Sequence, residues 1–368
     1  MSHEAMSQGT HGGRSASHGG GGKRGRGTRK RRRGLKITLG VLVVALLAGG
    51  GTAYWMYQDL DGNIKGVDID EALGQDRPEK LPTAGQNLLV LGSDSRAGAE
   101  NKELGGGGDV SGGRSDTTMV VHIPEGRSEA VAVSIPRDTL VTRPTCTTAD
   151  GSELPEKKRE MFNAVYSLAG PACVVKTVEK MSGVRIDHYM EINFAGFKDL
   201  VDAIGGVTVD VEEPIHDKAS GLDLTAGEHK LDGTESLAYV RTRHGVGDGS
   251  DLGRIGLQQQ FLMALLKEIK SQDLLGSPAT TYKIANSATK SLTTDEGLAS
   301  LTSLSEFARS MNGVDPSTME TIMLPVAYDK QDPNRVVASE PQAGDLWKAI
   351  RTDGTIPESA KRSPATGG

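Results

Sequence analysis

The chain has 368 residues, enough for one large domain or two ordinary ones. Its 48 glycines and 4% aromatic residues indicate many loops and a largely aliphatic core. Residues 1–36 hold ten basic residues and one acidic residue, a net +9; because the whole chain carries −6, the rest carries −15. This asymmetry indicates two different surroundings. With two distant cysteines, the composition excludes a cysteine-based metal centre.

Residues 1–34 form a basic tail. Eight Lys and Arg residues crowd Lys23–Arg33, in a sequence rich in Gly and Ser and without aromatic residues. A segment of this composition cannot bury enough apolar surface to fold alone, so we expect a disordered cytoplasmic tail. A nucleic-acid partner is one interpretation of the charge. Anionic lipid at the inner membrane leaflet is the nearer partner, and we predict no nucleic acid.

The next segment predicts a transmembrane helix over residues 35–57. It is almost wholly apolar or small past its first residues, and its length suits a single crossing of a bilayer. The basic run before it and Tyr54, Trp55 and Tyr57 at its far end place the N-terminus in the cytoplasm and the rest outside the cell. A cleaved signal peptide is the alternative, because Gly51–Ala53 would serve as a cleavage site.

The outer part of the chain is divided by composition. Residues 58–83 are polar and contain proline, so we predict an extracellular linker. The main domain is predicted over residues 84–351, and residues 352–368 are predicted to be disordered. The two cysteines, Cys146 and Cys173, both lie on the predicted outer side, where an even pair in an oxidising compartment predicts a disulfide.

Three short apolar runs open the main domain, and each ends near a polar cluster that holds an Asp and an Arg. Runs of this kind predict buried strands, and functional sites gather at strand ends and in the loops beyond them. The runs are Leu88–Leu91, Met119–Ile123 and Ala130–Ile135, and the clusters are Ser93–Arg96, Arg114–Asp116 and Arg137–Asp138.

If these strands are neighbours, two carboxylates and three guanidinium groups converge at one edge of a sheet. Carboxylate oxygens bind divalent cations such as Mg²⁺, and arginine binds phosphate through two parallel hydrogen bonds. A diphosphate is the ligand that satisfies both groups. Surface ion pairs at strand ends are the alternative. The glycine-rich stretch Ala97–Gly113 would be a mobile flap or a flexible insertion.

The rest of the domain alternates strands with helices, which argues for α/β layers. Strands are predicted over Arg185–Asn193, Val207–Val211 and Glu320–Val326, and helices over Phe162–Leu168, Cys173–Met181, Phe194–Ile204, Asp232–Arg241, Leu252–Ile269, Ser277–Ala288, Thr294–Met311 and Ala343–Ile350. The helix from Phe194 carries four apolar side chains on one face, namely Phe194, Phe197, Val201 and Ile204.

A second group of polar residues surrounds the loop between two of these helices. Arg241, Arg243 and Arg254 fall within fourteen positions of a domain that is otherwise acidic. Gln258 follows Arg254 by one helical turn and therefore shares its face. The set predicts an anion clamp. The alternative is a salt-bridged helix hairpin in which aspartates of the intervening loop pair with the arginines.

Taken together, these motifs resemble the LytR-CpsA-Psr family of cell-envelope glycopolymer ligases, over roughly residues 86–266. The motifs that carry the resemblance are GSDSR, RSDT, SIPRD, FNAVYSLAGP, IDHYMEINFAGFKDLVDAIGGVTVDV and LAYVRTRH…SDLGRIGLQQQ. The resemblance implies a three-layer α/β/α sandwich with a central mixed β-sheet and an apolar tunnel for a lipid. The Gly- and Arg-rich tail and the few lysines of the outer domain are compatible with a high-GC Gram-positive source, so the resemblance is to the actinobacterial type.

The implied activity is that of a phosphotransferase. A glycopolymer moves from a polyprenyl-diphosphate carrier to a muramic-acid hydroxyl of peptidoglycan, with a pyrophosphatase side reaction when water is the acceptor. Asp94 and Asp116 would hold Mg²⁺ (or Mn²⁺), and the catalytic set would be Arg96, Arg137 and Asp251, with Asp251 as candidate general base. The implied diphosphate-binding residues are Arg96, Arg137, Arg241, Arg243, Arg254 and Gln258.

The chain departs from the family pattern at one position. Many members have a second basic residue just before the glutamine, and this chain has Leu257, which puts one phosphate contact in doubt. We interpret the apolar face of the helix from Phe194 primarily as part of the core, with lining of the lipid tunnel as the second interpretation. Two alternative functions stay open. One is a membrane-bound transcriptional attenuator or regulator, and the other is a non-catalytic wall-binding protein.

Overall fold

A computed structural model gives the fold, and it describes residues 49–80, 83–93, 115–126, 129–242, 251–272, 277–311, 313–315 and 318–366. The chain divides into two compact units, Met1–Trp55 and Met56–Gly368. In the first unit, residues 49–55 are described and are helical. Residues 35–48 of the predicted anchor lie outside the described residues, and no helix in the described part of the chain is long and apolar enough to cross a bilayer.

The second unit has an α/β fold that begins with helical residues 56–63. Its strands are β1 (Lys65–Val67), β2 (Gln86–Ser93), β3 (Ser115–Ile123), β4 (Val131–Ser134), β5 (Leu140–Arg143), β6 (Cys146–Thr147), β7 (Glu153–Leu154), β8 (Lys157–Met161), β9 (His188–Asn193), β10 (Val207–Val211), β11 (Ile215–Asp217), β12 (Leu222–Leu224), β13 (Gly227–Leu231), β14 (Leu292–Asp295), β15 (Glu320–Met323), β16 (Val326–Tyr328) and β17 (Val336–Ala338). Its α-helices are α1 (Asp70–Leu73), α2 (Phe162–Ser182), α3 (Phe194–Ile204), α4 (Gly233–Arg241), α5 (Asp251–Ser271), α6 (Pro278–Ser291), α7 (Leu301–Ser310) and α8 (Gln342–Arg351).

A mixed central sheet organises the domain, as predicted. Within the described residues it has seven strands in the order β1-β14-β9-β2-β3-β4-β15. Strand β2 pairs parallel with β9 and antiparallel with β3, and β4 pairs antiparallel with β3. Strands β2, β4 and β9 therefore run in one direction, so their C-terminal ends meet the N-terminal end of β3 at one edge of the sheet.

Two apolar clusters hold the layers together. The first joins the sheet to α2 and α8, and Leu89, Val174 and Leu346 in it have no exposed surface. The second joins α3 to α4, α5 and strands β10–β13, with Val201 at its centre. Val201 belongs to the apolar face of α3 described above, which therefore packs as core. Burial of this kind stabilises a domain by about 1.5–3 kcal/mol for each large aliphatic side chain.

Local sequence signals explain several element ends. Asp232 caps α4 and forms a capping box with Glu235, as the sequence predicts. Asn193 caps α3 by accepting a hydrogen bond from Gly196 N. The two helices predicted over residues 162–181 are observed: the helical span α2 is interrupted by a kink at Ala169 and Gly170, where the backbone is non-helical and Gly170 has φ +69°. Glycine adopts this left-handed conformation without a Cβ penalty.

The predicted disulfide is present. Cys146 in β6 bonds to Cys173 in α2, with a Cα–Cα distance of 5.6 Å. It ties the loop that follows β5 to the second half of α2. One helix prediction is wrong in part: Leu292–Asp295, where a helix was expected to begin, is strand β14, and the helix begins only at Leu301. The run Leu292–Asp295 contains two threonines, whose β-branched side chains suit a strand.

The predicted extracellular linker differs from the structure over part of its length. Strand β1 pairs with β14, and Ile69 and Leu73 are buried in the first cluster. Residues 65–73 are therefore part of the packed domain. The apolar residues of this segment are too few and too widely separated by polar ones to show a helical or strand period in the sequence. Their burial is visible only from contacts with distant parts of the chain.

The predicted disordered end also differs from the structure. Ile356 and Ala360 are buried in the first cluster. Ser363 Oγ accepts a hydrogen bond from Val326 N at 3.1 Å and donates one to Val326 O at 2.9 Å. Residues 352–366 therefore pack against the domain through single anchor residues, a pattern too sparse for sequence periodicity to detect.

Candidate functional site

The end of β2 and the start of β3 meet at one edge of the sheet, and the segment that follows β4 runs toward the same edge. Ser93, the last residue of β2, pairs with Asn193 at the end of β9 and with Ser115 at the start of β3. Ser134, the last residue of β4, pairs with Met119 of β3. The GSDSR, RSDT and SIPRD motifs therefore belong to neighbouring strand ends. This juxtaposition is the condition on which the predicted diphosphate site depended.

A β-bulge lies at this edge and contains a predicted metal ligand. Gly92 pairs with Thr117 and Ser93 pairs with Ser115, so Asp116 is an extra backbone residue in β3. A Cβ at Gly92 would lie 3.2 Å from Thr117 Cβ, so the strands are close at this point. Bulges are frequent next to active sites, where they terminate or redirect strand pairing.

Several predicted site residues are not covered by this description. Asp94, Arg96 and Arg243 lie outside the described residues. Asp116 and Asp251 are described by their backbones alone, in β3 and at the start of α5. The assignments of these five residues to metal binding, diphosphate binding and catalysis therefore stay predictions.

Arg137 lies in the segment that follows β4, and the N-terminal end of α2 is hydrogen-bonded to the backbone of this segment. Asn163 N donates a hydrogen bond to Arg137 O at 3.0 Å, and Phe162 N donates one to Thr139 O at 2.9 Å. The side chain of Arg137 is 19% exposed, and its Nε lies 3.6 Å from Asp138 Oδ2. The FNAVY and SIPRD motifs are thus in direct backbone contact, although more than twenty residues separate them in the chain.

Arg241 reaches the same region from α4. Its guanidinium carbon lies 5.2 Å from the centre of the Phe194 ring, a cation–π distance. Phe194 follows Asn193, the residue that pairs with Ser93. The contact places the C-terminal end of α4, where the negative end of the helix dipole favours a cation, beside the end of β9.

Helix α5 links the second group of residues to the sheet edge. Gln258 Nε2 donates a hydrogen bond to Val240 O at 3.0 Å, next to Arg241. Gln259 Nε2 donates one to Ser134 Oγ at 3.3 Å, at the end of β4. Arg254, one turn before Gln258, is 2% exposed. Gln258, predicted as a polar contact to the diphosphate, therefore supports the end of α4 with its amide nitrogen.

A buried carboxylate lies behind the sheet edge, and sequence reasoning did not single it out. Glu191 in β9 is 6% exposed. It accepts hydrogen bonds from Tyr166 OH at 2.9 and 3.0 Å and from Tyr189 OH at 2.6 Å. Ser93 Oγ also donates to it. We call these four residues the Glu191 cluster.

The Glu191 cluster keeps its hydroxyl donors protonated. Burial, followed by the negative charge of Glu191, raises the pKa values of Tyr166 and Tyr189 well above the ordinary value for tyrosine. Three hydroxyls therefore converge on one acceptor group. Nothing in the sequence signals this burial, because Glu191 shares a strand face with Asp187, Tyr189 and Asn193, a pattern that indicates a polar face.

The prediction of a metal site depends on the carboxylate chemistry of two aspartates and not on an observed cluster of ligands. Among the residues that the structure describes, no group of three or more His, Cys, Asp or Glu side chains could hold a metal ion. Of the two predicted ligands, Asp116 lies in β3 and Asp94 follows the last residue of β2 in the sequence, and carboxylate oxygens are the ligands that Mg²⁺ prefers.

Comparisons with known proteins agree with the fold and the motifs. The model of the LytR_cpsA_psr family matches residues 56–352. The chain is 34% identical over 337 residues to the probable cell wall biosynthesis protein LcpB of Corynebacterium glutamicum, covering 90% of this chain and 75% of that protein. It is 32% identical over 266 residues to the polyisoprenyl-teichoic acid–peptidoglycan teichoic acid transferase TagU of Bacillus cereus, covering 70% of this chain and 78% of that protein. The solved structure of a LytR-Csp2A-Psr enzyme from Actinomyces oris has the same fold, with a TM-score of 0.57 at 24% identity over 78% of this chain and 95% of that one.

Proposed function

The chain belongs to the LytR-CpsA-Psr family, and we propose that it transfers a glycopolymer from a polyprenyl-diphosphate carrier to a hydroxyl group of peptidoglycan. One observation carries the proposal. The strand pairing brings together the described residues of the GSDSR and RSDT motifs, Gly92–Ser93 and Ser115–Thr117, and the SIPRD motif begins on the next strand, where Ser134 pairs with Met119. The Corynebacterium relative named for cell wall biosynthesis and the Bacillus relative named for teichoic acid transfer to peptidoglycan support the substrate class.

The proposed reaction is a phosphoryl transfer. The acceptor hydroxyl oxygen attacks the phosphorus that bears the glycan, and the bond from this phosphorus to the bridging oxygen of the diphosphate breaks. Polyprenyl phosphate leaves with that oxygen, and a phosphodiester joins the glycan to peptidoglycan. The hydroxyl proton passes to a general base, for which Asp251 at the start of α5 is the candidate.

The arginines supply most of what such a reaction needs, which is positioning and charge stabilisation. Arg137 and Arg241 approach the sheet edge from different elements, the first through backbone contacts with α2 and the second through Phe194. Arg254 extends the set from α5. An arginine has five fixed donors and keeps its charge, so it can bind two oxygens of one phosphate. A well-placed arginine contributes about 10³-fold or more to phosphoryl transfer.

We propose Asp94 and Asp116 as ligands for Mg²⁺ or Mn²⁺. Two carboxylates about 4 Å apart repel by roughly 4 kcal/mol at an effective dielectric near 20, and a cation removes that repulsion. Asp116 is the extra residue of the β-bulge. Ser93, which precedes Asp94 in the chain, pairs with Ser115, the residue next to Asp116. When bound, the cation would neutralise charge on the diphosphate oxygens.

We also propose that residues 35–57 anchor the protein in the membrane as a single span, with the basic tail in the cytoplasm and the catalytic domain outside. The sequence supports this topology through its basic run and its aromatic residues, and the disulfide supports an oxidising compartment for the domain. Protease treatment of intact cells tests it: the domain should be degraded while the tail is protected. A protected domain would instead favour the regulator alternative.

The test of activity uses the full chain in detergent with a polyprenyl-diphosphate-linked glycan, soluble peptidoglycan fragments and Mg²⁺. Release of polyprenyl phosphate is expected, with a loss of about 10³-fold in Arg137→Ala and loss of the metal dependence in Asp94→Ala. Lys348→Ala, an exposed charge change on α8, is the matched control. If Arg137→Ala transfers the glycan as fast as the unaltered protein, the proposed site is wrong.

A further inference from the structure

A cavity of about 240 Å³ lies beside the SIPRD segment, outside the residues predicted to bind the diphosphate. Pro136 and Asp138, the chain neighbours of Arg137, line one side of it. Leu252, in the first turn of α5 and next to Asp251, lines another. A molecule in this cavity would therefore lie beside a proposed phosphate-binding arginine and beside the helix end that carries the candidate base.

The opposite wall is the hairpin formed by β16 and β17. Its lining residues are Tyr328, Pro333, Asn334 and Val336. Tyr328 is 47% exposed although its ring is large and mostly apolar. Its ring forms part of a concave surface, where an aromatic face is available to a ligand that is itself partly apolar.

This wall is held in place before any ligand arrives. Arg159 donates two hydrogen bonds to the carboxylate of Asp329, at 3.1 and 2.8 Å. The same carboxylate accepts hydrogen bonds from the backbone nitrogens of Gln331 and Asp332, at 2.9 and 2.8 Å. Val336 N donates to the backbone oxygen of residue 138 at 3.3 Å, which joins the hairpin to the SIPRD segment. A preformed wall reduces the entropy that binding would cost.

The charge at the cavity is balanced. Asp138 Oδ2 lies 3.6 Å from Arg137 Nε, and its Oδ1 lies 3.4 Å from Arg335 Nη1. Arg335 Nε also lies 3.8 Å from Asp332 Oδ2, so two carboxylates face two guanidinium groups, and the cavity suits a neutral molecule better than an ion. The carboxylate still has lone pairs that can accept hydrogen bonds from hydroxyl groups, and the Asn334 amide offers both a donor and an acceptor.

We propose that this cavity binds one pyranose unit of the glycan acceptor, an inference that rests on the proposed function. A pyranose has an apolar C–H face and a rim of hydroxyl groups, which match the Tyr328 ring and the polar groups of Asp138 and Asn334. The volume corresponds to roughly eight water molecules of about 30 Å³ each. It is below the roughly 300 Å³ at which sites for larger ligands begin, so it takes one sugar ring rather than a chain.

The position of the cavity beside Arg137 indicates that the subsite positions the acceptor for transfer. A sugar held against Tyr328 lies beside Arg137, so its hydroxyl groups are close to a proposed diphosphate-binding residue. Binding there would convert the approach of the acceptor into a step within one complex, which is the main contribution of substrate-positioning groups. Tyr328 is thus a specificity-determining residue for the acceptor and has no direct role toward the lipid carrier.

The test compares Tyr328→Ala with Tyr328→Phe, which keeps the ring, and with Lys330→Ala, an exposed neighbour that does not line the cavity. In the transfer assay with the full chain, KM for soluble peptidoglycan fragments is measured separately from KM for the lipid-linked donor. Tyr328→Ala is expected to raise the acceptor KM roughly tenfold, equivalent to the loss of one aromatic contact. Tyr328→Phe and Lys330→Ala are expected to change it less than twofold.

A binding measurement keeps the two proposals separate. Saturation-transfer NMR with the N-acetylglucosamine–N-acetylmuramic acid disaccharide needs no donor and no turnover. A signal that Tyr328→Ala abolishes and Tyr328→Phe retains supports the subsite, even if the protein cleaves no lipid diphosphate and the proposed function fails. If the unaltered protein gives no signal, or if Tyr328→Ala keeps both the signal and the acceptor KM, the subsite is wrong while donor cleavage can still stand.

Discussion

The hydroxyl of Ser93 donates a hydrogen bond to the buried carboxylate of Glu191 across the parallel strands β2 and β9. Ser93 has no exposed surface and directly precedes Asp94, a predicted metal ligand. The carboxylate that receives this bond is also held by Tyr166 and Tyr189. The end of β2 is therefore held to β9 by a polar cluster as well as by the backbone pairing.

The Glu191 cluster predicts a graded effect on stability. In Glu191→Leu the buried hydroxyls of Ser93 and Tyr189 and the half-buried hydroxyl of Tyr166 lose their acceptor, and because an unsatisfied buried polar group costs about 1–3 kcal/mol, the free energy of unfolding should fall by about 3 kcal/mol or more. Glu191→Gln keeps one acceptor oxygen and should cost about 1–2 kcal/mol. Urea denaturation of both variants measures the difference. A Glu191→Leu variant as stable as the unaltered protein would show that the cluster contributes nothing.

The disulfide predicts a large effect of reduction. Cys146 and Cys173 are 27 residues apart in the chain, and closing a loop of this length stabilises the folded state by about 3–4 kcal/mol in the chain-entropy description. The midpoint of urea denaturation should fall when reductant is added, and the Cys146→Ser/Cys173→Ser variant should match the reduced protein. That double variant should not respond to reductant. Equal midpoints with and without the bond would contradict the prediction.

Asp329 predicts an acid-sensitive contribution to stability. Hydrogen bonds from the Arg159 guanidinium hold the pKa of the Asp329 carboxyl well below its usual range. Because the pKa is lower in the folded than in the unfolded state, where it is about 3.9, the interaction stabilises the protein above that pH and is lost as the pH falls toward the folded-state value. The free energy of unfolding should therefore decrease more steeply below about pH 4 in the unaltered protein than in Asp329→Asn.

Denaturation series at pH 5, 4 and 3 measure this slope. Arg159→Lys is the matched variant, since it keeps the charge but cannot donate two parallel hydrogen bonds from one planar group. The pH dependence of its unfolding free energy should be intermediate between those of the unaltered protein and Asp329→Asn. Identical slopes in all three proteins would mean that the Asp329–Arg159 pair does not couple protonation to folding.

The packing of the C-terminal segment predicts that truncating an apolar side chain beyond the last α-helix lowers the free energy of unfolding. Ile356 is 7% exposed and packs in the first apolar cluster. Ile356→Ala should lower the free energy of unfolding by about 2–4 kcal/mol, because it removes buried methyl groups and leaves a cavity. Arg362→Ala, an exposed change in the same segment, should alter it by less than about 0.5 kcal/mol. Equal effects of the two changes on the urea midpoint would indicate that the segment is not packed.

The local sequence already contained much of the fold. The apolar runs over Leu88–Leu91 and Met119–Ile123 predicted β2 and β3, and the Asp232–Glu235 spacing predicted the start of α4. These features depend on residues close together in the chain, where periodicity and capping chemistry decide the outcome. The resemblance to the family also came from the sequence, through motifs that are short and contiguous.

Residues far apart in the chain could be related only by the tertiary structure. Glu191 lies 98 residues from Ser93, and no local period indicates that β2 and β9 pair in parallel. The same is true of Tyr328, which meets the SIPRD segment only because β17 joins residues near Asp138. The burial of Ile356 likewise depends on a surface built by distant elements.

The sequence by itself determined the family, the disulfide and the chemical character of the site, because carboxylates and arginines keep their chemistry in any fold. The tertiary structure alone decided which strand ends meet, which carboxylate is buried behind them, and which aromatic residue lines the cavity beside Arg137. The physical reason is that strand register and side-chain burial are set by contacts across long loops, whose pairing free energies are not contained in any short window of sequence.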